Sequence, residues 1–360
     1  MPKDLATRIS YFYCASALSG AFSGLLAAAI AEMDGVAGYS GWRWIFILEG
    51  IPTVLIGVAC FFLLIDTPAL STRWLEPDEI RYLEVSAFIK QGGMFVEERR
   101  FRWKDLKMVL LNWRIYCQSY FLFVQSSLSY GKFRPNNLTH DPLFESVLCL
   151  LVFHIGTKFT LPTITKAMGF TNTVAQLTSA PPYVAAAISS ILFAKLCDRF
   201  YWRMPFVIAP MVIVVVAYAI FLGLNGALDT QRGAAYFAAV VMCIGIYPIQ
   251  AAAASWNANN IAPETRRAMA IALNNCVGNV GGILGSFMYI ESEAPTYHTG
   301  FGLGLALGGT GILMALFLEW SYKRGNAKKA RMSVEEVQAK YTEAELRDMG
   351  DSSPLFKYVL

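Results

Sequence analysis

Apolar residues in this chain gather in long runs, without the period-two alternation of a half-buried strand or the one-sided stripe of a surface helix. A bilayer-crossing helix needs roughly 20 mainly apolar residues. Windows of that kind lie at residues 9–31, 44–65, 174–194, 204–228, 233–263, 268–290 and 299–318. These predict seven spans, and an eighth is expected in the mixed region 115–165. The longest polar passage, residues 66–107, carries eight basic and eight acidic side chains among 42 residues, and it reads as a loop joining two sets of helices.

Charge then orients the spans. Lys and Arg concentrate in segments 1–8, 66–107, 195–203 and 264–267 and in the tail from 323, all in alternate loops, whereas Arg43, Lys166 and Arg232 lie on the opposite side. Basic loops stay cytosolic, so both termini are expected there. The alternation holds only if an odd number of spans separates Lys107 from Lys166. The net charge of +4 sits in these short clusters and forms no continuous face for nucleic acid.

Composition agrees with a bilayer as the main partner: 55% of the 360 residues are hydrophobic and 16% charged, too apolar for a soluble core. The apolar run after the amino terminus is too long for a signal-peptide core. Seven cysteines lie mostly singly within apolar runs, without metal or disulfide spacing. His140, His154 and His298 are dispersed, and no phosphate loop or nucleophile–base pair is present. No enzyme activity, cofactor or metal is therefore expected. Prolines at 52, 181, 182, 205, 210 and 248 fall within the spans, where neighbouring helices can satisfy the freed backbone groups. Gly20 and Gly24, Gly281 and Gly285, and the series Gly300, Gly304, Gly308 recur every four residues, which marks helix faces open to close approach.

The segment Gly41-Trp42-Arg43-Trp44-Ile45-Phe46-Ile47-Leu48-Glu49-Gly50 resembles the start of the sixth helix in the anion:cation symporter family of the major facilitator superfamily, in its fungal allantoate-permease-like branch. Five further stretches are similar to that family: Arg8 to Ala27 to its fifth helix, Trp74-Leu75-Glu76-Pro77-Asp78-Glu79 to its central loop, Leu161-Pro162-Thr163-Ile164 with Gly169-Phe170 to the end of helix seven, Ser255-Trp256-Asn257-Ala258-Asn259-Asn260 with Thr265-Arg266-Arg267-Ala268 to the junction of helices ten and eleven, and Ala294 to Gly300 to the approach to helix twelve. The resemblance implies an all-α integral membrane protein. More specifically, it implies a partial major facilitator bundle of about eight transmembrane helices, the family's fifth to twelfth, with the first four absent. The expected domains are a two-span remnant of the amino-terminal half (1–65), a cytosolic central loop (66–107), a carboxy-terminal six-helix half (108–322) and a cytosolic tail (323–360). In the family's seventh helix Tyr130-Gly131-Lys132 should run almost directly into Phe159-Thr160-Leu161-Pro162, so residues 133–158 read as an anomalous insert that an unremoved intron would explain.

Polar groups inside spans are the default functional candidates. The expected substrate or gate contacts are Gln118, Gln125 and Tyr130 in the family's seventh helix, Gln250, Trp256, Asn257 and Asn260 in the tenth, and Asn274, Asn275 and Asn279 in the eleventh. Interhelical hydrogen bonding is the competing role for these amides. Asn275 and Asn279 are four apart and share a helix face. Glu49 is the proton-coupling candidate, with a loop-anchoring role at the interface as its rival. Asp198 and Arg199, which look like a weakened copy of the superfamily's loop signature, could pair across helices and latch one conformation. The resemblance implies symport of a small organic anion with a proton at the plasma membrane, by alternating access between two helical halves, with the chain as it stands inactive. The rival expectation is a non-transporting membrane protein that packs with a partner. Neither the substrate nor the oligomeric state is specified by the sequence.

Overall fold

The computed structural model describes residues 5–64, 75–90, 101–129, 133–134, 165, 168–169, 172–293 and 296–360. Twelve helices follow in order among them: α1 (Leu5–Ala31), α2 (Gly41–Leu63), α3 (Pro77–Lys90), α4 (Trp103–Leu111), α5 (Trp113–Ser129), α6 (Asn172–Phe200), α7 (Pro205–Gly223), α8 (Arg232–Asn259), α9 (Glu264–Ser286), α10 (His298–Lys329), α11 (Val334–Lys340) and α12 (Glu343–Met349). Seven of them, α1, α2 and α6 to α10, are long and apolar enough to cross a bilayer. The region of the expected eighth span begins with the 17-residue α5. Tyr130 and the expected insert lie outside the described residues, apart from Phe133–Arg134, which pairs in parallel with Tyr289–Ile290.

The chain forms two compact units, Met1–Leu25 with Arg102–Leu360, and Leu26–Phe101. The division falls inside α1, whereas the sequence groups the first two spans together. In the smaller unit the backbone amide of Gly41 donates to the Asp34 carboxylate at 2.6 Å, and the indole of Trp44 donates to the Val36 carbonyl at 3.2 Å. Together these bonds fix the turn that starts α2. Apart from Arg43 and Glu49 in its first half the helix carries no charge, and only Gly41 of its residues is buried. Such a surface belongs in lipid or against other helices.

In the larger unit α8 is central, flanked by α5, α6 and α7, while α9 packs on α5 and α10 on α7. Small residues permit those approaches. A Cβ at Gly281 would collide with the Phe123 carbonyl oxygen, and one at Gly278 would come within 2.7 Å of Leu122 Cβ. On α10, Gly304 faces the ring of Tyr218 and Gly308 faces Val215, so the four-residue glycine spacing does mark a contact face. Aromatic rings fill the remaining space. Phe221 stacks on Phe301 with centroids 4.9 Å apart, and Phe121 on Trp256 at 5.9 Å. On α1 the buried positions Ala6, Ser10, Cys14, Ala17 and Ala21 make one stripe of small residues, and a Cβ built on Gly20 of the same helix would lie 3.4 Å from the Tyr183 ring of α6. α10 continues as one helix to Lys329, past the expected boundary at 322, and the chain then returns through α11 and α12 across that end of the bundle.

Candidate functional site: an amide cleft and a capped helix

Three helices bring four of the expected amides together. Gln125 on α5, Gln250 on α8, and Asn275 and Asn279 on α9 line one cleft with Leu122, Ser126 and Gly278. Its enclosed space is about 20 Å³, room for a single water. Gly278 allows α5 and α9 to close to this distance, and the four-residue spacing of Asn275 and Asn279 puts both amides on the cleft side of α9. Gln125 donates to the Ser129 hydroxyl at 3.1 Å, and the Gln250 side chain hydrogen-bonds the Tyr13 hydroxyl of α1. Among the described residues no charged side chain lines the cleft. A wider hollow of about 470 Å³ lies along α3, against Leu75, Asp78, Glu79, Tyr82 and Leu83, but one helix and its leading turn form all of its wall, so it encloses nothing.

The other expected residues go elsewhere. Asn274 is buried and its carbonyl oxygen accepts from the Ser119 hydroxyl at 2.5 Å, a polar tie between α9 and α5. Trp256 and Asn260 are buried at the end of α8, where both donate to the backbone carbonyl of Val359 at 3.0 Å. Gln118 is buried beside the Tyr322 hydroxyl. Asn257 is fully buried, and its amide has no hydrogen-bond partner among the described residues. Glu49 is exposed on α2, and its backbone carbonyl accepts from Thr53 at 2.7 Å. Tyr130 is not described.

Among the described residues Asp198 and Arg199 form no ion pair with each other. Arg199 is exposed, and Asp198 pairs instead with Arg203 at 2.7 Å. The left-handed backbone of Tyr201 (φ 55°) turns the chain after α6 so that Arg203 comes back towards the helix it has just left. Asp198 also accepts from the backbone amides of Ala6, at 3.3 Å, and Thr7, at 2.7 Å. These are orphan donors in the first turn of α1, so one carboxylate caps a helix of another part of the chain and favours its positive end. Burial pushes the Arg203 guanidinium down, but Cys197 and Asp198 more than reverse this and leave it raised and charged.

Three contributors were not visible in the sequence. Arg203 reads there as one more topology-setting charge. Tyr13 lies in an apolar run. Glu319, beyond the seventh predicted span, is buried on α10 and pairs with Lys323 at 2.6 Å; the i, i+4 spacing of that pair is the signal that could have found it.

Residues 1–286 match the Major Facilitator Superfamily. The chain belongs to that family. It is an integral, multi-pass membrane protein, and the chain is similar to several fungal transporters. It is 30% identical over its whole length to the MFS-type transporter cnsO of Penicillium expansum, covering 66% of that protein. It is 32% identical over 82% of its length to an uncharacterized transporter of Schizosaccharomyces pombe, covering 53% of it. Against the high-affinity nicotinic acid transporter of Saccharomyces cerevisiae it is 26% identical over 99% of its length and covers 60% of that relative. The chain thus spans between about half and two thirds of the length of these relatives.

Proposed function

We propose that this facilitator moves a small organic anion in symport with protons, by alternating access at the plasma membrane with both termini cytosolic, and that the amide cleft supplies its substrate contacts. The observation that carries the reading is the convergence of Gln125, Gln250, Asn275 and Asn279 from three helices on one uncharged cleft. Amide N–H₂ groups donate to a carboxylate, and in an apolar surrounding those bonds are stronger than in water. The resemblance to anion:cation symporters supports the anionic class, as does the nicotinic acid named for the yeast relative. Asp198 serves as a latch in this scheme: its contact with α1 holds one arrangement and must open when α1 moves against α6. Glu49 is the proposed proton carrier.

Uptake of labelled nicotinate and related carboxylates by cells expressing the protein, with and without a protonophore, tests this. A version extended to the length of the fungal relatives is expected to show saturable uptake that the protonophore abolishes, and the 360 residues alone are expected to show none. Saturable uptake indifferent to it overturns the coupling, and transport confined to neutral or cationic solutes overturns the anion class.

A further inference from the structure

The last residues of the chain are bound as a peptide ligand is bound. Terminal segments normally fray unless side chains hold their backbone, and here each of three successive residues is held. Asn326 donates to the Tyr358 carbonyl and accepts from the Tyr358 amide, both at 2.9 Å. Asn260 repeats this two-point pattern on Val359, donating at 3.0 Å and accepting at 2.7 Å, and the Trp256 indole adds a third bond there. The Leu360 carbonyl accepts from the Arg203 amide at 2.5 Å. Paired reading of backbone N–H and C=O by side-chain amides resembles the recognition of an added strand. A side-chain anchor accompanies it, because the Tyr358 ring lies 4.7 Å from the Arg114 guanidinium and 4.0 Å from Lys329 Nζ. Upstream, Arg266 donates to the carbonyls of Asp348 and Met349, at 2.5 and 3.2 Å. Gly350, at φ +59°, backs so closely onto Ala262 that any Cβ would strike the Ala262 carbonyl oxygen.

The final link gives the docking a consequence. Arg203, whose amide holds Leu360, is the residue whose guanidinium fixes Asp198, and Asp198 caps α1. We infer that segment 348–360 is a docked intramolecular peptide and that its occupancy of this groove holds the Asp198 contact with α1 closed through Arg203. Leaving the groove removes the Leu360 bond from a turn that Trp202 also ties to Glu319 at 3.3 Å and Arg203 to Cys197 Sγ at 3.2 Å, so the backbone of Arg203 shifts and its guanidinium no longer orients the Asp198 carboxylate as closely. The same groove braces the ends of α8, α9 and α10 against one another through Asn260, Arg266 and Asn326. The tail is therefore a conformational control placed on the latch. It takes from the function proposed above only that this contact opens during work, and the test reads the contact itself, so a failed transport assay leaves it standing.

Amide hydrogen exchange of the full chain in lipid nanodiscs provides that test. In the double variant Asn260→Ala with Asn326→Ala, four tail hydrogen bonds are lost. The amides of residues 356–360 and those of Ala6 and Thr7 should then both exchange about tenfold faster or more, the scale of one to two hydrogen bonds. Gly350→Ala forces the tail off from its other end without altering α8 or α10, and it should give the same pair of changes if the double variant folds poorly. Faster exchange in the tail with Ala6 and Thr7 unchanged overturns the coupling. Unchanged tail exchange in Gly350→Ala overturns the docked peptide itself.

Discussion

The carboxylate of Asp198 lies 2.7 Å from Arg203 and 2.7 Å from the backbone amide of Thr7, so one side chain joins the turn after α6 to the first turn of α1. Both members of the ion pair are buried, with side-chain exposures of 8% and 1%. Asp198→Ala leaves the guanidinium without its counter-charge and two helix donors without an acceptor. Removing one partner of a buried pair costs about 3–5 kcal/mol. The expected outcome is a clear fall in thermal stability in detergent together with faster exchange at Ala6 and Thr7. Arg199→Ala, at an exposed position, should leave both unchanged.

Tail docking also carries a pH signature. Asp348 hydrogen-bonds Lys104 first and Arg102 second, and these hold its carboxyl down to about 2. A group whose folded value is depressed contributes fully above its ordinary value, near 4, and loses that contribution as the pH falls through about 2. Asp105 is lowered as well: burial pushes it up, but its bonds to Arg102 and Arg266 outweigh this. Asp351 runs the other way, raised by burial. Comparing the parent with Asp348→Asn isolates one group. The variant should show faster exchange in residues 343–360 at pH 7, and the difference should shrink as the pH is taken from about 4 towards 2. Because Asp348 is partly exposed, 1 M salt should also shrink it.

Glycines on α9 and α10 differ in what they tolerate. Gly281→Val places a side chain against the Phe123 carbonyl and the Ser127 hydroxyl, whereas among the described residues nothing lies within 4 Å of a Cβ built at Gly302 or Gly309. Overpacking a close contact costs about 1–3 kcal/mol, so Gly281→Val should lower the melting temperature measured by tryptophan fluorescence. Gly302→Ala and Gly309→Ala should match the parent or exceed it slightly, since alanine favours a helix.

The spanning helices were legible in the sequence because hydropathy and length are local properties, and the glycine spacing on α10 correctly marked its contact face. Asn275 and Asn279 were legible as a pair for the same reason, being one helical turn apart. Their meeting with Gln125 and Gln250 was not, since it depends on how α5, α8 and α9 cross. Trp256 and Asn260 show the limit most clearly. Polarity within a span marked them as substrate or gate candidates with interhelical hydrogen bonding as the rival role, and the structure shows both donating to the carbonyl of Val359, 103 and 99 residues further along the chain. For Asp198 the sequence offered the adjacent Arg199, while the turn at Tyr201 supplied Arg203.

Substrate contact by the amide cleft is the central claim, and transport kinetics of an Asn275→Ala, Asn279→Ala double variant, made in a version extended to the length of the fungal relatives, test it most directly. With surface expression matched to the parent, the account predicts an apparent affinity weaker by about tenfold or more, the worth of one to two hydrogen bonds to a charged ligand. An apparent affinity equal to the parent's would make both side chains packing residues and contradict the account.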